Sequence, residues 1–472
     1  MSVKSYIKGF FSFSLGTWLR ALISFITTPI ISHLVVPEEF GKASIYTLVY
    51  NMSLIWSMVG LDHAFVRFYN EVENEKRKDL FWECLSLPFL LSFLVSLLFI
   101  LAERKISVIL FQSYYPFVGW LLSLSLITGV FQRFNEVSIR MQKRGFAFST
   151  IQIISSIFNV ITTIMYAKFI SADFYAIIAG QLGGNIAAVS YGFSVDKENR
   201  KFSGIRVADV KTYITYGLPF LPTLLITWLF TSMDRISLRR FSTFNEIGLY
   251  TAAFKLVSVM NLIQGGFTAF WTPTAYERYA KDPEDKEFYR RAFLGVSFVM
   301  YVFGLLIVGF KDVAFLLLAK NYREAAFIVP FLILMPIMYT ISETTVVGIN
   351  FSRKTYWHVV IAAVSALANY IGNTLLVPAL GGKGAAISTG LSYMVFFSMR
   401  TAISKRLYDV KYDFDKIVIG SAVIVLVALI GTFRRSTLET ILAAFVGILI
   451  VLLVYRGDLK YLIRVREGFR DV

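Results

Sequence analysis

Along nearly its whole length the chain alternates stretches of about 20 apolar residues with short polar connections, and this alternation leaves it few possible folds. A segment of that kind can cross the roughly 30 Å hydrocarbon core of a bilayer only with every backbone N–H and C=O satisfied internally, which selects the helix. About fourteen such stretches can be picked out. In the first half they begin near Phe10, Ala43, Leu80, Pro116, Phe146, Phe174 and Thr212. In the second half they begin near Ile247, Ala292, Ala325, His358, Gly384, Lys416 and Leu438. No connection is long enough for a soluble domain, so the expected fold is an all-α polytopic membrane protein with about 14 transmembrane helices. Charged residues make up only 17% of the 472 positions, where a soluble domain carries about 25%.

The Lys and Arg residues set the expected orientation. With a cytoplasmic amino terminus, the inner connections hold Lys76-Arg77-Lys78, Arg140/Lys143/Arg144, Lys197/Arg200/Lys201/Arg206/Lys211, Arg278/Lys281/Lys286/Arg290/Arg291, Lys405/Arg406/Lys411 and Arg456/Lys460/Arg464/Arg466/Arg470. With the end residues of adjacent spans this places about 32 of the 47 basic residues inside, about 13 outside and two within spans. Both termini are therefore expected in the cytoplasm, and the net charge of +16 needs no nucleic-acid partner. The basic loops are expected to lie against anionic lipid headgroups. Lys4 and Lys8 precede an apolar run that continues past Arg20 to Val36 without a small-residue cleavage site, so the run reads as a retained first helix. A single cysteine, Cys84, excludes an intrachain disulfide, and His33, His63 and His358 lack the spacing of a zinc site.

The chain reads as built twice. Pro37-Glu38-Glu39-Phe40-Gly41, leading into Tyr46, Tyr50, Asn51 and Ala64-Phe65, is echoed by Asn245-Glu246-Ile247-Gly248, leading into Tyr250, Lys255, Asn261 and Ala269-Phe270. The offset is roughly 207 residues, and a charged loop follows each copy. The expected organisation is a six-helix bundle over 1–205, a second over 206–410, and two further helices with a cytoplasmic tail over 411–472. Substrate is then expected in the cleft between the bundles.

Charges inside the spans are the candidates for function, because such groups are costly in hydrocarbon and are normally paired or housed in a polar cavity. Arg20 and Lys255 both lie about 15 Å along their apolar stretches, near mid-depth, and point to a cationic cavity for an anionic substrate. A single cavity holding both is the expectation. A structural ion pair is the alternative for each, and a desolvated lysine could also take part in ion coupling. Glu343, near the middle of the tenth span with no basic residue nearby in sequence, is a candidate for proton or cation coupling unless another helix supplies a cation. Asp62 is expected to pair with Arg67 at the inner interface, and Arg133 with Glu136 along one helix. Asp234-Arg235, at the outer end of the seventh span, reads equally as a gate or an interfacial pair. Gln152 with Asn159, Gln181 with Asn185, Asn261 with Gln264, and Asn369 with Asn373 share helical faces, suited to sugar hydroxyls or to interhelical hydrogen bonds. Pro219 and Pro222, and Pro330 and Pro336, mark places where helices are expected to kink.

At these residues the chain resembles a known family. Pro37-Glu38-Glu39-Phe40-Gly41 and Gly60-Leu61-Asp62-His63-Ala64-Phe65-Val66-Arg67-Phe68 follow the amino-terminal pattern of polysaccharide-biosynthesis flippases. So do Arg140-Met141-Gln142-Lys143-Arg144, Tyr216-Gly217-Leu218-Pro219-Phe220 with Ser232-Met233-Asp234-Arg235, and Phe270-Trp271-Thr272-Pro273 with Tyr276-Glu277-Arg278-Tyr279. These are the Wzx-type oligosaccharide transporters, in the superfamily that includes MATE exporters and lipid II flippases. The resemblance implies a V-shaped pair of bundles and alternating access in a bacterial or archaeal cytoplasmic membrane. It implies an undecaprenyl-pyrophosphate-linked oligosaccharide as cargo, for O-antigen, capsule or exopolysaccharide assembly, with a polymerase and chain-length machinery as possible partners. It implies no cofactor, the drive coming from an ion gradient or the membrane potential. The pyrophosphate suits a cationic cavity, since Arg grips phosphate oxygens bidentately. A lipid II flippase shares that headgroup and is the nearer alternative; a MATE-like exporter of cations would need an acidic pocket. Asp413-Phe414-Asp415 superficially matches a sugar-transferase motif but has no soluble domain to hold a nucleotide, so no enzymatic activity is expected.

Overall fold

A computed structural model describes residues 3–197, 202 and 204–468. Arg200, Lys201 and Arg470, counted above with the inner charges, lie outside the described residues. Every regular element among the described residues is a helix, and each of the expected span starts falls in or beside one. The chain divides into two compact units, Met1–Ser232 and Met233–Val472.

The first unit contains α1 (Val3–Leu34), α2 (Pro37–Met58), α3 (Leu61–Phe68), α4 (Arg77–Leu101), α5 (Glu103–Phe111), α6 (Val118–Met141), α7 (Gly145–Phe169), α8 (Phe174–Val195), α9 (Val207–Gly217) and the start of α10 (Phe220–Phe241). Pro37 opens α2, where its missing N–H costs nothing, and Glu38 and Glu39 in the first turn favour the positive end of the helix dipole. The helix stops at two successive left-handed residues, Val59 (φ 47°) and Gly60 (φ 73°), and α3 departs at 50°. Gly60 is obligatory in a second sense: a Cβ there would overlap the carbonyl of Gly217, at the end of α9. Beside this junction Phe65 packs edge-on against Phe81 and Phe134, and Phe68 meets Tyr213 of α9 at 5.2 Å. Apolar burial at this end therefore locks α3, α4, α6 and α9 together. Gly180 and Gly184 let α8 lie directly on the α7 backbone at Asn159 and Ser155.

The second unit contains the end of α10, then α11 (Phe244–Val257), α12 (Val259–Lys281), α13 (Lys286–Leu316), α14 (Val329–Leu332), α15 (Leu334–Thr345), α16 (Val347–Phe351), α17 (Tyr356–Leu407), α18 (Phe414–Phe433) and α19 (Thr437–Gly468). Within α17 the backbone leaves helical geometry at Gly381 (φ 55°, ψ −130°). The two arms fold back on each other, since Ser388 Oγ donates to the Asn369 carbonyl at 2.8 Å. One continuous segment thus contains the eleventh and twelfth expected spans, because glycine accepts a dihedral that other residues resist.

By length and mean hydropathy, six described helices are fit to cross a membrane, and up to ten segments if each bent pair is one span. The expectation of about fourteen exceeds this because α17 contributes two arms, because α1 counts only as the shorter apolar helix Trp18–Leu34, and because α6 and α8 are rich in serine, glycine and asparagine. Two of the four bends sit at prolines singled out above: Pro219 in the 42° break between α9 and α10, and Pro330 just after a 47° break. The other two, at Val59–Gly60 and at Ser258, need no proline.

The repeated Glu-x-Gly motif has the same job in both units. Glu39 Oε2 accepts the backbone N–H of Phe174 at 3.0 Å, the first residue of α8. Glu246 Oε2 accepts the backbone N–H of Gly382 at 2.7 Å, where the second arm of α17 starts. A carboxylate from the start of one span thereby caps another helix of its own unit. The capped amides are separated by roughly the same 207 residues as the glutamates.

Candidate functional site

Charges lie within the membrane-spanning helices of both units. Arg20, in α1, is exposed on the surface of the first unit. It is electrostatically coupled to the Tyr50 hydroxyl, which sits within a buried polar group of α2, α6 and α8. There Asn185 Nδ2 donates to Tyr50 and to the Ser125 carbonyl, both at 3.5 Å, and Tyr46 bonds Ser125 at 2.9 Å. Gln181 accepts from Thr47 at 3.4 Å. The expected Gln181–Asn185 face is therefore part of an interhelical network, with a cation at its side.

Lys255 belongs to the second unit and is half-buried one turn before the 43° bend between α11 and α12. At the bend Ser258 Oγ donates back to the Lys255 carbonyl at 2.6 Å, a contact that competes with helix continuation.

Asp234 is more than an interfacial charge. It is 7% exposed and accepts four hydrogen bonds. Asn369 Nδ2 and Asn373 Nδ2 donate to Oδ1 at 3.1 and 2.9 Å, Thr389 Oγ1 donates to Oδ2 at 2.6 Å, and the Tyr250 hydroxyl donates to the same oxygen. Arg235 lies within electrostatic reach of Asp234 and Tyr250. The Asn369–Asn373 pair expected from helical spacing is thus built around a carboxylate, and Gly381 makes this possible by bringing Thr389 back beside Asn369. The Asn373 Oδ1 atom is buried with no hydrogen-bond partner. A carboxylate buried among spanning helices is a functional candidate by default.

Glu343 does find a cation, and it comes from another helix. Arg400 Nη1 donates to Glu343 Oε1 and to Ser342 Oγ, each at 2.7 Å. The sequence pairing that left Glu343 alone missed Arg400 because the two residues are joined only by packing of α15 on the second arm of α17. An arginine seven residues inside the end of an apolar helix was the available signal.

Two expected pairs are replaced. Asp62 does not pair with Arg67; Arg133 reaches it from α6 with Nε at 2.9 Å and Nη2 at 2.7 Å. Arg67 instead binds Glu71, and Glu136 accepts from Gln132 at 2.9 Å. Helix α3 buries the Asp62 side while Arg67 stays in the open, so the shorter sequence separation does not decide the partner. Asp413 is gripped by Arg290 through both oxygens at 2.7 and 3.0 Å. Among the described residues no group of three His, Cys, Asp or Glu side chains is arranged to hold a metal ion.

Residues 6–275 match the sequence profile of a family described as polysaccharide biosynthesis protein. The chain belongs to that family. No curated protein matches it in sequence. Its fold is shared with the lipid II flippase MurJ in an inward closed conformation, at 17% identity and TM-score 0.70 over 94% of this chain and 99% of that one. An inward-facing multidrug-resistance MATE transporter of the MOP superfamily aligns at 15% identity and TM-score 0.62, over 82% and 94%. A variant of the Vibrio cholerae MATE transporter VcmN aligns at 17% identity and TM-score 0.57, over 86% and 98%. The family member described here is a multi-pass helical membrane protein with the MATE-like fold that its sequence motifs implied.

Proposed function

We propose that the protein is a flippase that moves undecaprenyl-pyrophosphate-linked oligosaccharide repeat units from the cytoplasmic to the outer leaflet by alternating access, for O-antigen, capsule or exopolysaccharide assembly. The observation that carries this reading is membership of the polysaccharide biosynthesis family in a chain that keeps Arg20 and Lys255 inside apolar helices. Cations at that depth offset the desolvation of a diphosphate crossing a low-dielectric layer. The membrane is the bacterial or archaeal cytoplasmic membrane, with both termini inside. A polymerase and chain-length machinery would receive the product. No cofactor is needed: the drive is an ion gradient or the membrane potential, and Asp234 is the coupling carboxylate, with Arg235 beside it and Asp62 held at the inner end as a structural anchor.

A second reading, transport of lipid II, is favoured by the likeness to MurJ over almost the whole of both chains. Complementation separates the two. In a host lacking its oligosaccharide flippase the protein should restore surface glycan, and in a host lacking its lipid II flippase it should not restore growth. Stably expressed Arg20→Ala and Lys255→Ala should each lower glycan export; normal export by both variants refutes the cationic pathway. Asp234→Asn should alter the dependence of export on proton or sodium gradients, and an unaltered dependence removes it from the coupling scheme.

A further inference from the structure

Arg400 is held from one side only. It is 7% exposed, and both of its hydrogen bonds leave from Nη1, to Glu343 and Ser342. Its guanidinium lies 5.6 Å from the ring centre of Tyr339 and 5.4 Å from that of Phe396, two rings that stack at 12° to each other. The helix that presents Glu343 is fixed in turn, because Trp271 Nε1 donates to the Glu343 carbonyl at 3.0 Å. His358 is within electrostatic reach of both charges, and its ring nitrogen contacts Asn350 Oδ1 at 3.0 Å. The Arg400 Nε atom, by contrast, is buried and has no hydrogen-bond partner.

That asymmetry matters because a guanidinium binds acids through a fork of two parallel N–H groups. The contacts to Glu343 and Ser342 orient the group but occupy a single nitrogen. The Nε–Nη2 edge, the fork that matches two oxygens of one phosphate or carboxylate, is left without a protein acceptor. A buried donor without an acceptor is uncommon in folded proteins and calls for a physical account. An arginine bridging two acids gives one: Glu343 fixes the guanidinium from behind, and a mobile anion satisfies the front. With both termini inside, Arg400 lies about two helical turns from the cytoplasmic end of α17 and Glu343 about two turns before the end of α16 at Phe351, at the depth where a headgroup from the inner leaflet would arrive.

We propose that the Nε–Nη2 edge of Arg400 is an anion subsite for an acidic group of the transported headgroup, with Glu343 and Ser342 as positioning residues. The proposal rests on the flippase reading for its cargo. Two sources share the chemistry: the diphosphate of the lipid carrier and the carboxylate of an acidic sugar.

The test uses the full chain in lipid nanodiscs, with inorganic pyrophosphate and glucuronate as separate probes and binding read by calorimetry. Arg400→Lys keeps the charge and the pairing with Glu343 but removes the fork. It should weaken binding of one probe at least tenfold while leaving the apparent melting temperature near that of the parent, and the probe affected names the source. Glu343→Gln keeps an acceptor for Nη1 and should weaken the same probe less than Arg400→Lys does. Should Arg400→Lys fail to fold, the Glu343→Gln/Arg400→Gln double variant removes both charges together without orphaning either. Binding of both probes within twofold of the parent in the folded variant overturns the subsite, as does a parent protein that binds neither. Glycan export in the flippase-deleted host is scored separately. Export with unaltered pyrophosphate and glucuronate binding leaves the flippase reading standing and ends this one, whereas Arg400-dependent binding without export does the reverse.

Discussion

The buried carboxylate of Asp234 gives the sharpest stability prediction. Its four donors divide into two kinds. The Asn369 and Asn373 amides each keep a second acceptor, Thr389 Oγ1 at 3.2 Å and Asn369 Oδ1 at 3.0 Å. The Tyr250 and Thr389 hydroxyls rely on Asp234 Oδ2 as acceptor. A hydrogen bond to a charged acceptor contributes about 1.5–3 kcal/mol, and a neutral one about 0.5–1.5 kcal/mol. Asp234→Asn keeps one oxygen for the two amides and turns its new NH2 toward hydroxyls that can rotate to accept, so it should cost about 1–2 kcal/mol. Asp234→Ala strands both hydroxyl donors and leaves a void, and should cost about 3–4 kcal/mol. Thr389→Val should cost about 1.5–3 kcal/mol, and less when Asp234 is already Asn, since both changes act on one network. Unfolding of the purified protein in mixed micelles, titrated with sodium dodecyl sulfate, measures all four. The reasoning is refuted if Asp234→Ala costs under about 1 kcal/mol, or if the Thr389→Val penalty is the same in both backgrounds.

Other consequences can be checked in the same assay. Glu246→Ala and Glu39→Ala should each lose about 1 kcal/mol as a helix N-terminus gives up its side-chain acceptor, while the Gln variants retain most of it; equal stability of Ala and parent would contradict the caps. Gly60→Ala combines a left-handed backbone with overlap on Gly217, and should lower stability by about 1–3 kcal/mol. An unchanged apparent melting temperature would show that the α3–α9 junction is looser than described. For Asp62 and Arg133, a double-mutant cycle with Asn and Gln should give a coupling of about 1–3 kcal/mol, whereas the cycle of Asp62 with Arg67 should give none.

Much of the fold was legible because lipid imposes a simple rule. A run of apolar residues must become a helix, so helix existence could be read from local composition, as could the bend at Pro219. The repeat was visible in Glu39-x-Gly41 and Glu246-x-Gly248, although nothing local revealed what those glutamates do. The number of crossings was harder, because bends at Val59–Gly60 and Ser258 and the reversal at Gly381 depend on backbone geometry rather than on hydropathy.

Partner choice marks the limit. Asp62 was matched to Arg67, five residues away, yet its partner is Arg133, supplied by α6. Glu343 looked alone because Arg400 is remote in sequence, and Asp234 read equally as a gate or an interfacial pair because its donors come from α11 and the two arms of α17. In each case the pairing is fixed by which helix faces are buried together. The sequence by itself determined that this chain crosses a membrane many times, with cations and carboxylates at depths where charge is expensive. Only the tertiary structure decided which of those charges are satisfied. Apolar periodicity follows from neighbours along the chain, whereas compensation of a buried charge depends on groups brought close by packing in three dimensions.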